Sequence, residues 1–211
     1  MIIIGITGGI GMGKTAVARM LAAWGIPVFN ADDYVHRALN ARGIAVTAVA
    51  SAFPASYDRA RQKIDRQKLG AVIFKNPRAR GKLEAILHPL VRAAEERFIH
   101  RHARGGSSVI AMDIPLLFET GAQELVNVVL CVSAPPEIRR ARVLSRPGMT
   151  ESKFKAIIAA QMPEKTRQKK SDVILETGGT PEKTARDLQK ILKQLKKSDA
   201  RNRSRHRNNG V

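Results

Sequence analysis

Residues 5–21 read GITGGIGMGKTAVARML, and this stretch decides the fold. Gly8, Gly13, Lys14 and Thr15 stand at the spacing G-x-x-x-x-G-K-T. An apolar run at residues 1–4 precedes the glycines, and residues 16–23 follow with helical spacing. Strand, glycine loop and helix in that order form a phosphate-binding loop. Glycines let the chain turn tightly and leave room for several backbone N–H groups to converge on phosphate oxygens. The helix N-terminus adds partial positive charge at the same point. Gly11, Met12, Gly13, Lys14, Thr15 and Ala16 are therefore expected to hold a nucleoside triphosphate. Lys14 would reach the β- and γ-phosphates, and the Thr15 hydroxyl would hold Mg²⁺.

Outward from the loop, short apolar runs alternate with helical patterns. Strands are expected at residues 2–6, 27–30, 108–113, 126–133 and 173–176. Helices are expected at 14–23, 34–39, 66–74, 78–102, 136–144, 152–162 and 181–196, the fourth ended or kinked at His88-Pro89. Alternation of this kind predicts an α/β fold, a three-layer phosphate-loop NTPase with a parallel sheet covered on both faces. The organisation expected is one domain over residues 1–196. Its core is 1–39, 105–135 and 171–196, a mostly helical insertion with a polar centre at 54–66 occupies 40–104, and a basic helical lid occupies 136–170. Residues 197–211 read as a basic, disordered tail.

Composition narrows the partners. The net charge is +19 over 211 residues, too large to ignore, and its distribution has two parts. Lys193, Lys196, Lys197, Arg201, Arg203, Arg205 and Arg207 face Asp199 alone in a stretch with almost no apolar residue. That tail could touch nucleic acid nonspecifically. Between residues 139 and 170 the cations are instead interleaved with helix-patterned apolar residues, which suits a folded surface turned to an anionic ligand. The single cysteine, Cys131, lies in an apolar run and cannot form an internal disulfide, so a buried thiol and a reducing compartment are expected. No apolar stretch approaches the ~18 residues of a membrane span, and the apolar start is better used as a strand than as a signal core. A cytoplasmic protein, monomeric or a small homo-oligomer, is expected.

The loop alone admits GTPases, motor ATPases and small-molecule kinases. No Asn-Lys-x-Asp run is present to read guanine, and a short chain with a basic lid points to a kinase. Asp32, just past the second strand, stands at the carboxyl edge where parallel sheets bind ligands. It is a candidate to take the proton of an attacking hydroxyl or to help place Mg²⁺, the alternative being a helix cap. His36 follows one helical turn later, as a substrate contact or a solvated side chain. Asp113 ends a strand and could support Mg²⁺ through water. Arg142 and Arg146, four residues apart, are expected to share a helical face and to close over the transferring phosphoryl group. Arg139, Arg140 and most of the lysines could equally be solvated.

Beyond the loop, the chain resembles the dephospho-CoA kinase family from Ile3 to about Lys196. The resemblance rests on Ala31-Asp32 with His36, on Leu87-His88-Pro89-Leu90-Val91, and on Pro115-Leu116-Leu117-Phe118-Glu119. It continues through Arg142, Arg146, Gln161 and Asp172-Val173-Ile174. It implies MgATP-dependent phosphorylation of the ribose 3′-hydroxyl of dephospho-CoA to coenzyme A. Asp32, Lys14, Arg142 and Arg146 would then be catalytic, while His36, His88, Leu116, Leu117 and Glu119 would border the acceptor. The chain departs from the family at Asn30, where Asp is usual, and mildly at Ser171, where Ala is usual. The alternatives are a nucleoside or nucleoside-monophosphate kinase and a nucleic-acid-binding ATPase that uses the tail.

Overall fold

Five apolar runs do form one sheet. In the computed structural model, which describes residues 1–74 and 76–208 with side chains through residue 200, the elements begin with β1 (Ile2–Thr7), α1 (Lys14–Ala23) and β2 (Val28–Asn30). β5 (Val109–Asp113), β6 (Val128–Ser133) and β7 (Val173–Glu176) complete the sheet in the order β2-β5-β1-β6-β7. The β1–β5, β1–β6 and β6–β7 pairs are all parallel. Every residue of β5 is buried, which is why VIAMD reads as a continuous apolar run rather than an alternating one. Between β6 and β7 lie α6 (Pro136–Leu144), α7 (Glu151–Ala160) and α8 (Glu164–Lys169), and α9 (Pro181–Asn208) closes the chain.

The remaining elements are α2 (Ala31–Leu39), α3 (Val46–Ala52), β3 (Tyr57–Asp58), β4 (Lys63–Ile64), α4 (Arg66–Phe74) and α5 (Pro77–Arg104). The chain divides into two compact units, Met1–Phe29 with Gly105–Val211, and Asn30–Arg104. The second unit thus begins at Asn30, not at residue 40, because α2 packs with the helical part through Ala38 and Leu39. Each unit has its own apolar cluster. The first joins Ile4, Ile6, Val17, Leu21, Leu130 and Leu188; the second joins Leu39, Val49, Phe53, Leu69, Leu83 and Leu87. Full burial of each such side chain contributes roughly 1.5–3 kcal/mol.

Three expectations are corrected. The helical span of α5 continues past His88-Pro89, so the proline does not end it. The proline removes one backbone bond at a cost of about 3 kcal/mol, offset by burial of Leu83 and Leu87 on the same helix. The polar centre at 54–66 is a 3₁₀ turn (Pro54–Ser56) and the antiparallel β3–β4 hairpin. Helical backbone continues past residue 196 to Asn208, since 197–208 contains no Gly or Pro and Lys and Arg propagate helices well. Residues 209–211 of the expected tail lie outside the described residues. No helix among the described residues is long and apolar enough to cross a membrane.

Cys131 is fully buried in β6, and burial pushes its thiol up to about 12. An unfolded thiol titrates near 8.5, so above about pH 8.5 the unfolded chain alone sheds this proton and the thiol's contribution to stability is lost as pH rises. Two outcomes are expected: no labelling of native protein by a thiol reagent at pH 8, and a shallower alkaline fall in denaturation midpoint for Cys131→Ala. Rapid native labelling contradicts the buried assignment.

Candidate functional site

The loop leaves β1 beside a carboxylate. Ile6 pairs in register with Asp113 at the end of β5, and Thr7 with Cys131 of β6. Lys14, first residue of α1, returns its ammonium to the Asp113 carboxylate, which is 1% exposed. Gly11 and Gly13 adopt left-handed backbone, with φ of 78° and 89°. A Cβ on Gly11 would lie 2.6 Å from Val143 Cγ2 and 2.8 Å from the Arg139 carbonyl, and one on Gly13 would lie 2.8 Å from Thr177 Oγ1. Conformation and close approach both demand glycine at these two positions. Met12 contributes only backbone here: its side chain is buried, with Sδ accepting from the Ala134 amide at 3.2 Å. Thr15 and Ala16 are exposed on the first turn of α1.

Thr177 pins the loop from behind. Its hydroxyl, 5% exposed, lies 2.7 Å from the Met12 carbonyl and 3.2 Å from the Ser133 carbonyl, and donates to one of them. The same oxygen accepts from Arg142 Nη1 at 3.0 Å, while Nη2 donates to the Thr177 carbonyl at 2.5 Å. A Cβ on Gly13 would sit 3.4 Å from that guanidinium, so Arg142 borders the loop.

On the opposite side of the loop stand Arg139, Gln161 and Arg167. Gln161 Oε1 accepts from the Ile10 amide at 3.1 Å and from Arg139 Nη2 at 3.3 Å, and Arg139 Nε donates to the Ile10 carbonyl at 2.9 Å. Burial lowers the Arg139 pKa, which leaves the guanidinium charged at neutral pH. Arg167 is 2% exposed; it donates to Glu164 at 2.9 Å and to the Met162 carbonyl at 3.0 Å. All three approach Gly9, whose added Cβ would meet Arg139 Nη2 at 2.8 Å, Gln161 Oε1 at 3.1 Å and Arg167 Nη1 at 3.3 Å. Arg146 is placed differently: α6 ends at Leu144, and Arg146 is exposed in the following turn.

In the second unit, Asn30 is the cap of α2. Its side chain accepts from the Asp33 amide at 2.8 Å. The departure from the family's Asp at this position therefore keeps an N-cap residue. Asp32 is exposed on the first turn, and no hydrogen bond or ion pair engages its carboxylate among the described residues. His36, also exposed, lies with Nδ1 2.5 Å from Arg66 Nη1. A guanidinium only donates, so Nδ1 accepts and the ring carries its proton on Nε2. Beside this pair is a cavity of about 240 Å³ bounded by His36, Lys63, Arg66, Arg61, Leu39 and Ile64.

The other acceptor candidates divide. His88 is exposed on α5, and Leu116 and Glu119 are exposed in the turn after β5. Leu117 is corrected: it is fully buried, and a Cβ on Gly5 would come within 2.6 Å of its Cδ1, so it is a core residue. Thr177 escaped the sequence reading, and Arg139 and Arg167 were read there only as members of the basic stretch. Applying the strand-end rule to β7 points to Thr177; nothing local in the sequence marks a buried Arg167.

The arrangement fits a triphosphate and its cation. The glycine cradle excludes side chains, and Lys14, Arg139 and Arg142 supply charge at its borders. Thr15 and Asp113 offer the hard oxygen donors that suit Mg²⁺, which is held by one or two protein oxygens together with substrate phosphates. Removing the hydroxyl at the back of the loop is expected to loosen it. Thr177→Val should lower stability by about 1–3 kcal/mol and weaken nucleotide binding, read by thermal denaturation and titration with a triphosphate; an unaltered loop affinity would contradict the pin.

Comparison with known proteins agrees with this geometry. Residues 2–182 match the family described as dephospho-CoA kinase. A dephospho-CoA kinase of Agrobacterium fabrum is 45% identical over 195 residues, covering 92% of this chain and 98% of the relative. One from Mesorhizobium japonicum is 43% identical over 196 residues, covering 93% and 98%. Among solved structures, TT1252 from Thermus thermophilus superposes with a TM-score of 0.78 at 36% identity, covering 92% of this chain and 97% of that one. The dephospho-CoA kinase from Campylobacter jejuni shares the fold with a TM-score of 0.70 at 24% identity, covering 93% and 98%. A loop built to hold a polyphosphate, flanked by arginines, thus sits in a chain that belongs to the dephospho-CoA kinase family.

Proposed function

We propose that this protein transfers the γ-phosphoryl group of ATP to the ribose 3′-hydroxyl of dephospho-CoA, giving coenzyme A, the last step of its biosynthesis. The observation that carries the donor half is the glycine cradle at Gly11 and Gly13, closed by Thr177 and bordered by Arg142. Family membership over residues 2–182 carries the acceptor half.

Phosphoryl transfer needs positioning and charge stabilisation more than covalent help. The loop amides and Lys14 bind the β- and γ-phosphates of the donor. Lys14 must then exchange or share its Asp113 partner with a phosphate oxygen, an exchange of one anionic partner for another. Arg139 and Arg142, already anchored beside the loop, offer N–H donors without the entropic cost of ordering a free side chain. Arg146, exposed past the end of α6, is assigned to charge farther from the loop. Thr15, with Asp113 or Asp32 acting through water, would hold Mg²⁺, which would supply positive charge to neutralise the phosphates. Asp32 accepts the proton of the acceptor hydroxyl: Asn30 already caps the helix, so the carboxylate is not needed for that purpose. His36, His88, Leu116 and Glu119 are assigned to the acceptor.

Comparing ADP release with dephospho-CoA, AMP, GMP and shikimate as acceptors tests the reading, with turnover expected for dephospho-CoA far above the rest. Turnover of a nucleoside monophosphate and none of dephospho-CoA would replace it with a nucleotide kinase. Asp32→Asn should keep ATP binding and lower kcat by about 10²-fold or more, the scale of general-base loss; an unchanged kcat removes Asp32 from the chemistry. Lys14→Ala should cost more in kcat/KM than in ground-state ATP binding.

A further inference from the structure

The phosphate loop has a carboxylate near it that the proposed phosphoryl transfer does not use. Glu164 opens α8 with a half-buried side chain. It lines a cavity of about 560 Å³ together with Arg139, Phe154, Lys165 and Gln168. Arg139 feels its charge: burial, the largest influence, lowers the Arg139 pKa, and Glu164 opposes that. Yet the two are not paired. Arg139 has no carboxylate within ion-pair distance among the described residues, and its bonds go to neutral groups, the Ile10 carbonyl and Gln161 Oε1.

Glu164 is held elsewhere. Its Oε2 accepts from Arg167 Nη1 at 2.9 Å and its Oε1 from Gln168 Nε2 at 3.4 Å. Arg167 is buried and fixed by a second bond, from Nη2 to the Met162 carbonyl. Lys165 is exposed, and Arg140 already meets Glu151 at 2.8 Å. Arg139 Nη2 and Arg167 Nη1 both come within 3.3 Å of one point, the place a Cβ on Gly9 would take. Two guanidiniums thus converge on the loop for one carboxylate, and one of them is left over.

We infer that Arg167 is a positioning residue for the donor: it occupies Glu164 and so reserves Arg139 for the phosphates of ATP. The inference rests on the donor half of the kinase reading and deepens it. A buried ion pair is a weak source of stability, because desolvation offsets much of the attraction. Here the pair decides which guanidinium is neutralised. A carboxylate freed in a half-buried place takes the nearest uncompensated cation, since attraction strengthens as water is excluded. That cation is Arg139, across the shared cavity. Once paired there, Arg139 would offer the phosphates neither its net charge nor all of its N–H groups. Arg167 prevents this from one helical turn away, where its planar fork meets the carboxylate and the Met162 carbonyl at once.

Titration with a non-hydrolysable ATP analogue and Mg²⁺ separates this role from that of a structural brace, because the two differ in symmetry. Arg167→Met frees Glu164 and should weaken analogue binding roughly 10-fold or more, the loss of a charge-assisted contact. Glu164→Gln removes the competing carboxylate and should hold or tighten binding. A pair that only braced the fold would lose affinity in both. Arg167→Met combined with Glu164→Gln should recover most of the loss, and Arg167→Lys part of it, since an ammonium still meets the carboxylate. With Arg139 already replaced by Met, Arg167→Met should add less than about twofold. KM for dephospho-CoA should stay near its starting value throughout, and denaturation midpoints report folding separately. If Arg167→Met does not fold, Glu164→Gln and the double variant carry the comparison. A loss of affinity in Glu164→Gln overturns the inference. So does unchanged affinity in Arg167→Met, or its full effect in the Arg139→Met background, and each of these leaves the kinase reading standing. Failure of the unaltered protein to bind the analogue would remove both.

Discussion

One buried hydroxyl ties the nucleotide unit together. Thr177 sits where the ends of β6 and β7, the phosphate loop and α6 converge, and its Oγ1 touches Met12, Ser133 and Arg142. Each partner comes from a different element, so loop shape, strand spacing and arginine placement are coupled through one atom. The coupling explains why Gly13 tolerates no side chain: the space a Cβ would need belongs to that hydroxyl. A loop of backbone amides has little intrinsic preference for its bound shape, and here the preference is supplied from outside it.

A second anchoring comes from Gln161, at the end of α7. By holding the Ile10 amide and Arg139 together, it joins the end of α7 to the loop at a point separate from Thr177. The helical unit works on a different principle. Its contribution is a helix start, capped by Asn30, that leaves Asp32 unencumbered, and a hairpin that presents cations to a cavity. The positive charge apparent in composition therefore resolves into groups with distinct structural tasks, with Arg167 turned wholly inward.

The parts legible in the sequence were those specified by neighbours along the chain. The phosphate loop, α1, α6 and β7 all follow from spacing and apolar runs within a few residues. The parts that were not legible depend on adjacency across the fold. Thr177 matters only because β7 lies beside β6 and faces Met12 from 165 positions away. Arg146 looked like a partner of Arg142 because periodicity alone carried α6 onward, whereas Arg146-Pro147-Gly148 turns the chain out of the helix. Leu117 looked like a pocket wall because an apolar run does not say which of its residues face inward; packing against Gly5 decides that. Asp32 could have been the cap on sequence alone, and the hydrogen bond from the Asp33 amide gives that role to Asn30. Arg167 sits on a helix too short to show a period, so its burial has no signal in the chain.

The pairing of Lys14 with Asp113 carries a consequence for selectivity among anions. A lysine left in water at a phosphate loop would attract any small oxyanion at the concentrations found in a cell. With its ammonium already facing a buried carboxylate, an entering ligand gains only the difference between its own attraction and that of the partner it displaces or shares. A single phosphate or sulfate can fill only part of the loop and so engages fewer of its amides in that exchange. A triphosphate, bound by the loop amides along its length, can outbid it. The ion pair thus favours a ligand that engages many loop amides over one that engages few.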